Sequence, residues 1–373
     1  MYPCKMSRRR FMRTMAVAAA GLAVGGCRMQ ELAPTVAPTL PPATPTLTPP
    51  PTLAQVAIAR AETYDRALVR QQVETLLDGL GGLADVVRPG DRVAIKVNLT
   101  GGLNFAPPEG LTAVESHLTH PEVVRALGEL LRDAGAGEIT IVEAVYDSES
   151  YWLFGYQDVA EGLGAALIDL NVPDPYPDMA ATEVGPDWFV YERFAFNRIL
   201  EEVDAFISVA KMKAHCVCGV TNSMKNLVGL LPVSQYRLSE EDWWRSALHG
   251  ESEEEAGTRV PGAILDLNRA RPIHLALIDG IMSGDGGEVP RGDFAPVSPG
   301  VLLAGKNPVA TDAVATAVMG FDPTASSYYE PFVYCENYLN AARELGLGTN
   351  RLEEIEVVGS PIDEVVYPFR PCR

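Results

Sequence analysis

The chain has 373 residues, with 49 acidic against 30 basic side chains and a formal net charge of −19 at neutral pH. Six of the basic residues lie in the first 28 positions, where there is no acid, so the remainder is more acidic still. That balance argues against DNA or RNA as a partner and against direct attraction to anionic lipid, since both need a basic face.

Ser7-Arg8-Arg9-Arg10-Phe11-Met12-Arg13 reads as a twin-arginine export signature, followed by an apolar run over residues 15–24 that is too short to span a bilayer. Val24-Gly25-Gly26-Cys27 has the pattern of a bacterial lipobox, which predicts lipidation at Cys27. Residues 28–54 are rich in Pro and Thr and lack an apolar period, so they are expected to form an extended tether without a core. The predicted order is a signal peptide over 1–27, the tether over 28–54 and a folded part over 55–373, in one or two lobes. The predicted location is the outer face of a bacterial membrane, held there by the lipid.

In the folded part, residues 56–60 predict a strand, and Leu68, Val73, Leu76 and Leu77 fall at helical spacing within 64–80. A strand is expected over 92–97, then a loop rich in Gly, Asn and Pro over 100–110. Pro121 opens a helix over 122–134 that Gly135 closes, and a strand follows at 138–144. Further on, a helix is read over 157–163, a strand over 166–170 and an aromatic, hairpin-like stretch over 188–196. After a strand at 204–210 the acid-rich residues 234–259 read as a solvated segment covering the site. A helix over 260–268, a strand over 273–279, a loop around GDGGEVPRGD, a strand over 301–304, helices over 309–319 and 339–345 and a last strand over 354–358 complete the pattern. Strands alternating with helices through short connections predict an α/β fold with a mostly parallel or mixed sheet flanked by helices.

The densest chemistry lies in residues 211–232, KMKAHCVCGVTNSMKNLVGLLP. Lys211, Lys213, His215, Lys225 and Asn226 gather there in an otherwise acidic chain. The spacing predicts a buried strand, a polar loop and a helix beginning near Thr221 or Asn222. Cations at a strand's carboxyl end, beside a helix N-terminus, suit a ligand carrying carboxylate or phosphate. His215-Cys216-Val217-Cys218 also has the composition of a soft-metal site, although no second Cys/His cluster completes it. Cys216, Cys218, Cys335 and Cys372 allow up to two disulfides in three pairings.

Four signatures make the chain resemble the family of domain of unknown function 362. They are Pro89-Gly90-Asp91-Arg92-Val93 running into Lys96-Val97-Asn98, and Thr119-His120-Pro121-Glu122-Val123-Val124 before a helix. The third is the central Lys-x-Lys-x-His block with its Lys225-Asn226-x-x-Gly229. The fourth joins Asp279-Gly280-Ile281 and the glycine-rich loop to Asn307-Pro308-Val309-Ala310-Thr311-Asp312. Many relatives carry ferredoxin-type cysteines, and this chain lacks that run, so the resemblance implies no iron–sulfur cluster. Val97 stands where the family has proline, Asn307 where Asp is common and Asp285 where Glu is usual.

The residues assigned from this reading fall into three groups. His215, Lys213 and Lys225 are the catalytic candidates, with His215 as general base or a desolvated lysine as base or nucleophile. Lys96, Asn98, His120, Lys211, Asn226 and Asp279 are the ligand-binding candidates. Asp285 and Asp312 are candidates to hold a hard divalent cation. Two functions fit: an enzyme that moves a proton on a small anionic ligand, and a tethered protein that binds such a ligand or cofactor without turnover. A partner subunit of a membrane complex is a third reading.

Overall fold

A computed structural model describes residues 53–288 and 291–373. The export signature, Cys27 and nearly all of the tether lie outside those residues. The first strand starts at Ala54, within the segment assigned to the tether.

The frame is an eight-stranded sheet with the order Ile355–Gly359, Ala54–Arg60, Val301–Gly305, Leu275–Gly280, Ala205–Lys211, Arg92–Lys96, Glu138–Glu143, Ala166–Asp169. Val301–Gly305 runs antiparallel to both its neighbours, and the remaining pairings are parallel. The six inner strands are buried on both faces because alternate side chains enter different cores, while the edge strands Ile355–Gly359 and Ala166–Asp169 are only partly covered. Val93, Ile95, Ile207 and Val209 pack with helices Arg66–Gly79 and Pro121–Asp133 on one face. Ala94, Val142, Phe206 and Ala276 face the other, where helix Glu253–Ala270 lies, and Pro308–Val318 covers the neighbouring strands. Among the described residues no helix is long and apolar enough to cross a membrane.

Local chemistry explains where these helices begin. Asp65 accepts a hydrogen bond from the Leu68 amide at 2.9 Å, and Pro121 occupies the first turn of its helix. The helix expected over 260–268 begins earlier, at Glu253, with the Ser252 hydroxyl accepting from the Glu255 amide. The acid run read as solvated is therefore largely a helix first turn, where carboxylates face the positive end of the dipole.

Two expectations fail near the site. No helix begins at Thr221 or Asn222: Lys213–His215 pairs with Gly219–Thr221 as a hairpin, and a 3-10 helix follows over Lys225–Leu230. Gly219 closes the hairpin at φ 76°, and a β-carbon there would lie 2.7 Å from the Phe332 ring. The glycine-rich loop is also a hairpin, Ser283–Glu288 against Arg291–Val297, with a register shift between Asp285 and Gly287. The aromatic stretch is only partly strand, because Arg193–Phe196 pairs with Ala180–Glu183 and leaves Trp188 and Phe189 exposed between them.

Candidate functional site

The parallel strands end together, and their last residues are polar. Lys96 ends one strand, Glu143 its neighbour and Lys211 a third. Carboxyl ends of parallel strands leave a crevice that loops can roof. Here the crevice contains a cavity of about 300 Å³, and Lys96, Asn98, Lys213, His215, Lys225 and Asn226 line it. All six are buried.

Lys96 is committed to the protein. Its ammonium donates to Glu143 Oε2 at 3.0 Å, to the Val97 carbonyl at 2.6 Å and to Asn226 Oδ1 at 3.3 Å. Burial pulls its pKa down to about 8 against the pull of Glu143, and burial pushes Glu143 upward. Asn226 ties this pair to its surroundings, accepting also from Asn98 Nδ2 at 3.0 Å and donating to Ser208 Oγ at 3.0 Å. Gly229, three residues past Asn226, lets the chain pass over the pair. A β-carbon there would sit 2.0 Å from Glu143 Oε1 and 2.5 Å from Lys96 Nζ, which gives the glycine of the Lys-Asn-x-x-Gly motif a steric reason.

Lys213 and Lys225 are placed differently. The lysine salt bridges among the described residues belong to Lys96, Lys211 and Lys306, so neither cavity lysine has one. Lys213 Nζ donates to the His117 carbonyl at 2.9 Å and to Asn98 Oδ1 at 3.4 Å. Burial, and the charge of Lys225 nearby, lower its pKa to about 7. Glu288 is the nearby carboxylate and acts on Lys213, Lys225 and His215 together, so a bound anion would add the negative charge that the two lysines still lack.

His215 lies at the end of the short strand two residues past Lys213, and both side chains line the cavity. Its Nδ1 is 2.5 Å from Glu288 Oε2. The Val217 amide is placed to donate to the same ring nitrogen at 3.1 Å, so it competes with Glu288 for the one in-plane position of Nδ1. A bare Nδ1 would set two lone pairs face to face across the shorter contact, which favours a proton on Nδ1 shared with Glu288 over acceptance from Val217. Nε2 is then the basic nitrogen. Burial lowers the His215 pKa to about 4 despite Glu288, so the neutral ring prevails at neutral pH.

Several lining residues escaped the sequence reading. Glu288 ends a segment taken for a loop. His117 lines the cavity with Nδ1 2.8 Å from Ser116 Oγ and a buried Nε2 that has no protein partner. Its pKa falls to about 3 through burial and through Lys213 and Lys211. Arg245 is 3 % exposed and donates to the carbonyls of Leu231 and Ala144 and to the Tyr146 hydroxyl. It arrives on residues 234–259, the segment expected to cover the site, with Trp243, Trp244 and His249. A basic residue directly after Trp243 and Trp244 in an acidic segment was the available signal for it.

The other candidates lie elsewhere. Lys211 and Asp279 form a buried pair at 2.8 Å; the Asp279 carboxylate also accepts from the Tyr64 hydroxyl and the His120 amide. His120 caps helix Pro121–Asp133, its Nδ1 accepting from the Glu122 amide, and stacks on Tyr64 with centroids 3.7 Å apart. The cavity histidine of that motif region is His117, three residues earlier. Lys211, His120 and Asp279 thus join strands to a helix and do not line the cavity.

The aspartates assigned to a cation do not converge either. Asp285 is bound by the Arg370 guanidinium at 2.7 Å and by the Arg370 amide. Asp312 accepts from the Ser223 amide and hydroxyl and the Met224 amide, so it anchors the turn that leads into Lys225. Burial raises its pKa to about 7. Among the described residues no three His, Cys, Asp or Glu side chains gather as a metal-ion group. The soft-metal reading of residues 215–218 meets the same obstacle, because Cys216 is disulfide-bonded to Cys372. Cys218 and Cys335 are buried free thiols, so one of the two possible bridges is formed.

Residues 93–317 match the family model of the domain of unknown function DUF362. The chain belongs to this DUF362 family. A thylakoid-associated protein of Synechocystis sp. is 26 % identical over 317 residues, covering 84 % of this chain and 89 % of that protein. Two solved structures were compared as well. The lactate racemase apoprotein of Thermoanaerobacterium thermosaccharolyticum matches with a TM-score of 0.42 at 13 % identity, covering 71 % of this chain and 57 % of that one. A protein of Thermotoga maritima matches with a TM-score of 0.36 at 10 % identity, covering 70 % of this chain and 61 % of that one. The present chain thus spans about three fifths of each solved chain. Within the DUF362 match, the Lys-x-Lys-x-His motif divides its labour: Lys211 is structural, and Lys213 and His215 reach the cavity. Asn307, at a position where the family often has Asp, caps helix Pro308–Val318 through Oδ1 to the Ala310 amide, a task that needs only an acceptor oxygen.

Proposed function

We propose that this DUF362 protein binds a small anionic ligand, carboxylate or phosphate, in the 300 Å³ cavity and moves a proton on it with His215. The observation that carries the reading is the pair of cavity lysines, Lys213 and Lys225, without a salt bridge beside a histidine oriented by a carboxylate. In the proposed step, Nε2 of His215 takes a proton from a C–H or O–H of the ligand, and the electron pair stays on the ligand near the two ammonium groups. Glu288 holds the ring and stabilises the imidazolium that forms.

The test is a thermal-shift panel of phosphates and small carboxylates, followed by a search for turnover with the ligands that stabilise the protein. Lys225→Ala should abolish the shift. His215→Gln should retain most of the affinity and lose turnover by roughly a hundredfold or more. A His215→Gln protein that turns over at the wild-type rate would leave a binding protein without catalysis.

The proposal extends to location. The chain is exported folded by the twin-arginine route and held to the outer face of a bacterial membrane through a lipid on Cys27. The name of the thylakoid-associated relative agrees with a place at a membrane. Membrane fractions washed with high salt should retain the wild type and lose Cys27→Ala, and equal retention of the two would overturn the anchor.

A further inference from the structure

The cavity has two unlike walls. One part of the lining is charged, with Lys213, Lys225 and Glu288, and another is aromatic, with Phe105, Tyr146, Trp243 and Trp244. Trp243 meets Phe105 edge-on at 5.7 Å and Tyr146 edge-on at 5.5 Å. It nevertheless remains 47 % exposed, so much of a large apolar surface stays wet in the free protein. The Tyr146 ring is partly engaged, with the Arg245 guanidinium 4.9 Å from its centroid. Trp243 is therefore the ring with the most open surface, and Phe105 stands against its edge.

The backbone is arranged to hold Phe105 there. Gly101, which also lines the cavity, has φ 84°, and a β-carbon on it would lie 2.1 Å from the Phe105 ring. Any other residue at 101 would displace the ring. Simple anion capture by lysines needs neither this glycine nor a half-exposed tryptophan at the rim.

Building on the anion reading, we infer that the ligand is a planar aromatic or heteroaromatic ring bearing a carboxylate or phosphate. Its ring lies against Phe105 and Trp243, and its anionic group reaches Lys213 and Lys225. Flat rings stack on or edge against these side chains and cover surface that inorganic anions leave wet. Lys213 and Lys225 favour an anionic group over a neutral aromatic, because Glu288 is a single carboxylate beside two buried ammonium groups.

The inference can be tested with phenyl phosphate, cyclohexyl phosphate and inorganic phosphate, titrated calorimetrically into the full-length protein. Phenyl phosphate should bind at least tenfold more tightly than inorganic phosphate and more tightly than cyclohexyl phosphate. Trp243→Ala and Gly101→Ala should each erase that preference, read as the ratio of phenyl to cyclohexyl phosphate affinity within each variant. Equal affinity for the phenyl and cyclohexyl esters overturns the aromatic class and leaves the anion reading standing. A preference that survives both substitutions overturns it too. Binding of none of the three at millimolar concentration, with Lys225→Ala indistinguishable from wild type, overturns the anion reading and this inference with it.

Discussion

Glu288 Oε2 and His215 Nδ1 are 2.5 Å apart, and Glu288 competes there with the Val217 amide for the nitrogen on which the tautomer turns. Both residues come from hairpins that rise from the sheet: Lys213–His215 with Gly219–Thr221, and Ser283–Glu288 with Arg291–Val297. Glu288→Gln should loosen this choice of tautomer. Nitrogen-15 spectra of the wild type should show a proton on Nδ1 of His215, and the variant a mixture of tautomers. Once a substrate is known, the variant should lose turnover by roughly 10²–10⁴ while anion affinity rises, since a carboxylate beside Lys213 and Lys225 is gone. An unchanged tautomer in Glu288→Gln would remove its positioning role.

The pH dependence of the free protein should report Lys213. Its folded pKa, about 7, lies below the ordinary value of 10.5, so the unfolded chain binds more protons between those limits. Stability should therefore rise with pH across that window, by at most roughly 1.4 kcal/mol per pH unit from this group. The penalty is full below pH 7 and gone above the unfolded pKa. Lys96, whose pKa is lowered to about 8, acts in the same direction. Denaturant melts between pH 7 and 10 should show a shallower rise in Lys213→Met than in wild type. Phosphate affinity should fall in the wild type as pH climbs above 7, since the ammonium is then losing its proton.

Gly229→Ala should be destabilising by about 2–4 kcal/mol, because the added methyl would overlap the buried Lys96–Glu143 pair from 2.0 Å. Urea denaturation at fixed pH measures it. A stability within experimental error of wild type would show that the pair can retreat at little cost.

Asp279→Ala separates a structural charge from a ligand-binding one. It strands the Lys211 ammonium, which is 0 % exposed, and should cost about 3–5 kcal/mol. Anion affinity of the folded fraction should not change, since neither residue lines the cavity. A large affinity loss in a variant that remains folded would return the pair to the site.

Cys372→Ser should free the C-terminal tail from the hairpin that carries His215. The bridge spans 156 residues of chain, and its loss should cost roughly 2–5 kcal/mol. Thermal denaturation with and without reductant should give the wild type and the variant the same stability once the thiols are reduced.

The α/β class and most strand and helix positions are determined by the sequence alone, because periodic burial and end-capping are local. Asp65, Pro121 and Ser252 act on amides a few residues away, so their effect is visible in the chain itself. The strand ends are equally legible, and they mark Lys96, Lys213, His215 and Lys225 as neighbours in one crevice. Tertiary structure decides which charges remain available there. Lys96 is met by Glu143 from the adjacent strand and Lys211 by Asp279 across the strand register, so two of the lysines become internal ties. Asp285 and Asp312 are likewise claimed by Arg370 and by the Ser223 turn, partners 85 and 89 residues distant. His120 and His117 differ by three positions, yet only the fold shows that the first caps a helix and the second borders the cavity. Spacing along the chain shows which groups can point the same way. Pairing between distant segments, driven by the cost of leaving a buried charge alone, decides which of them are left for a ligand.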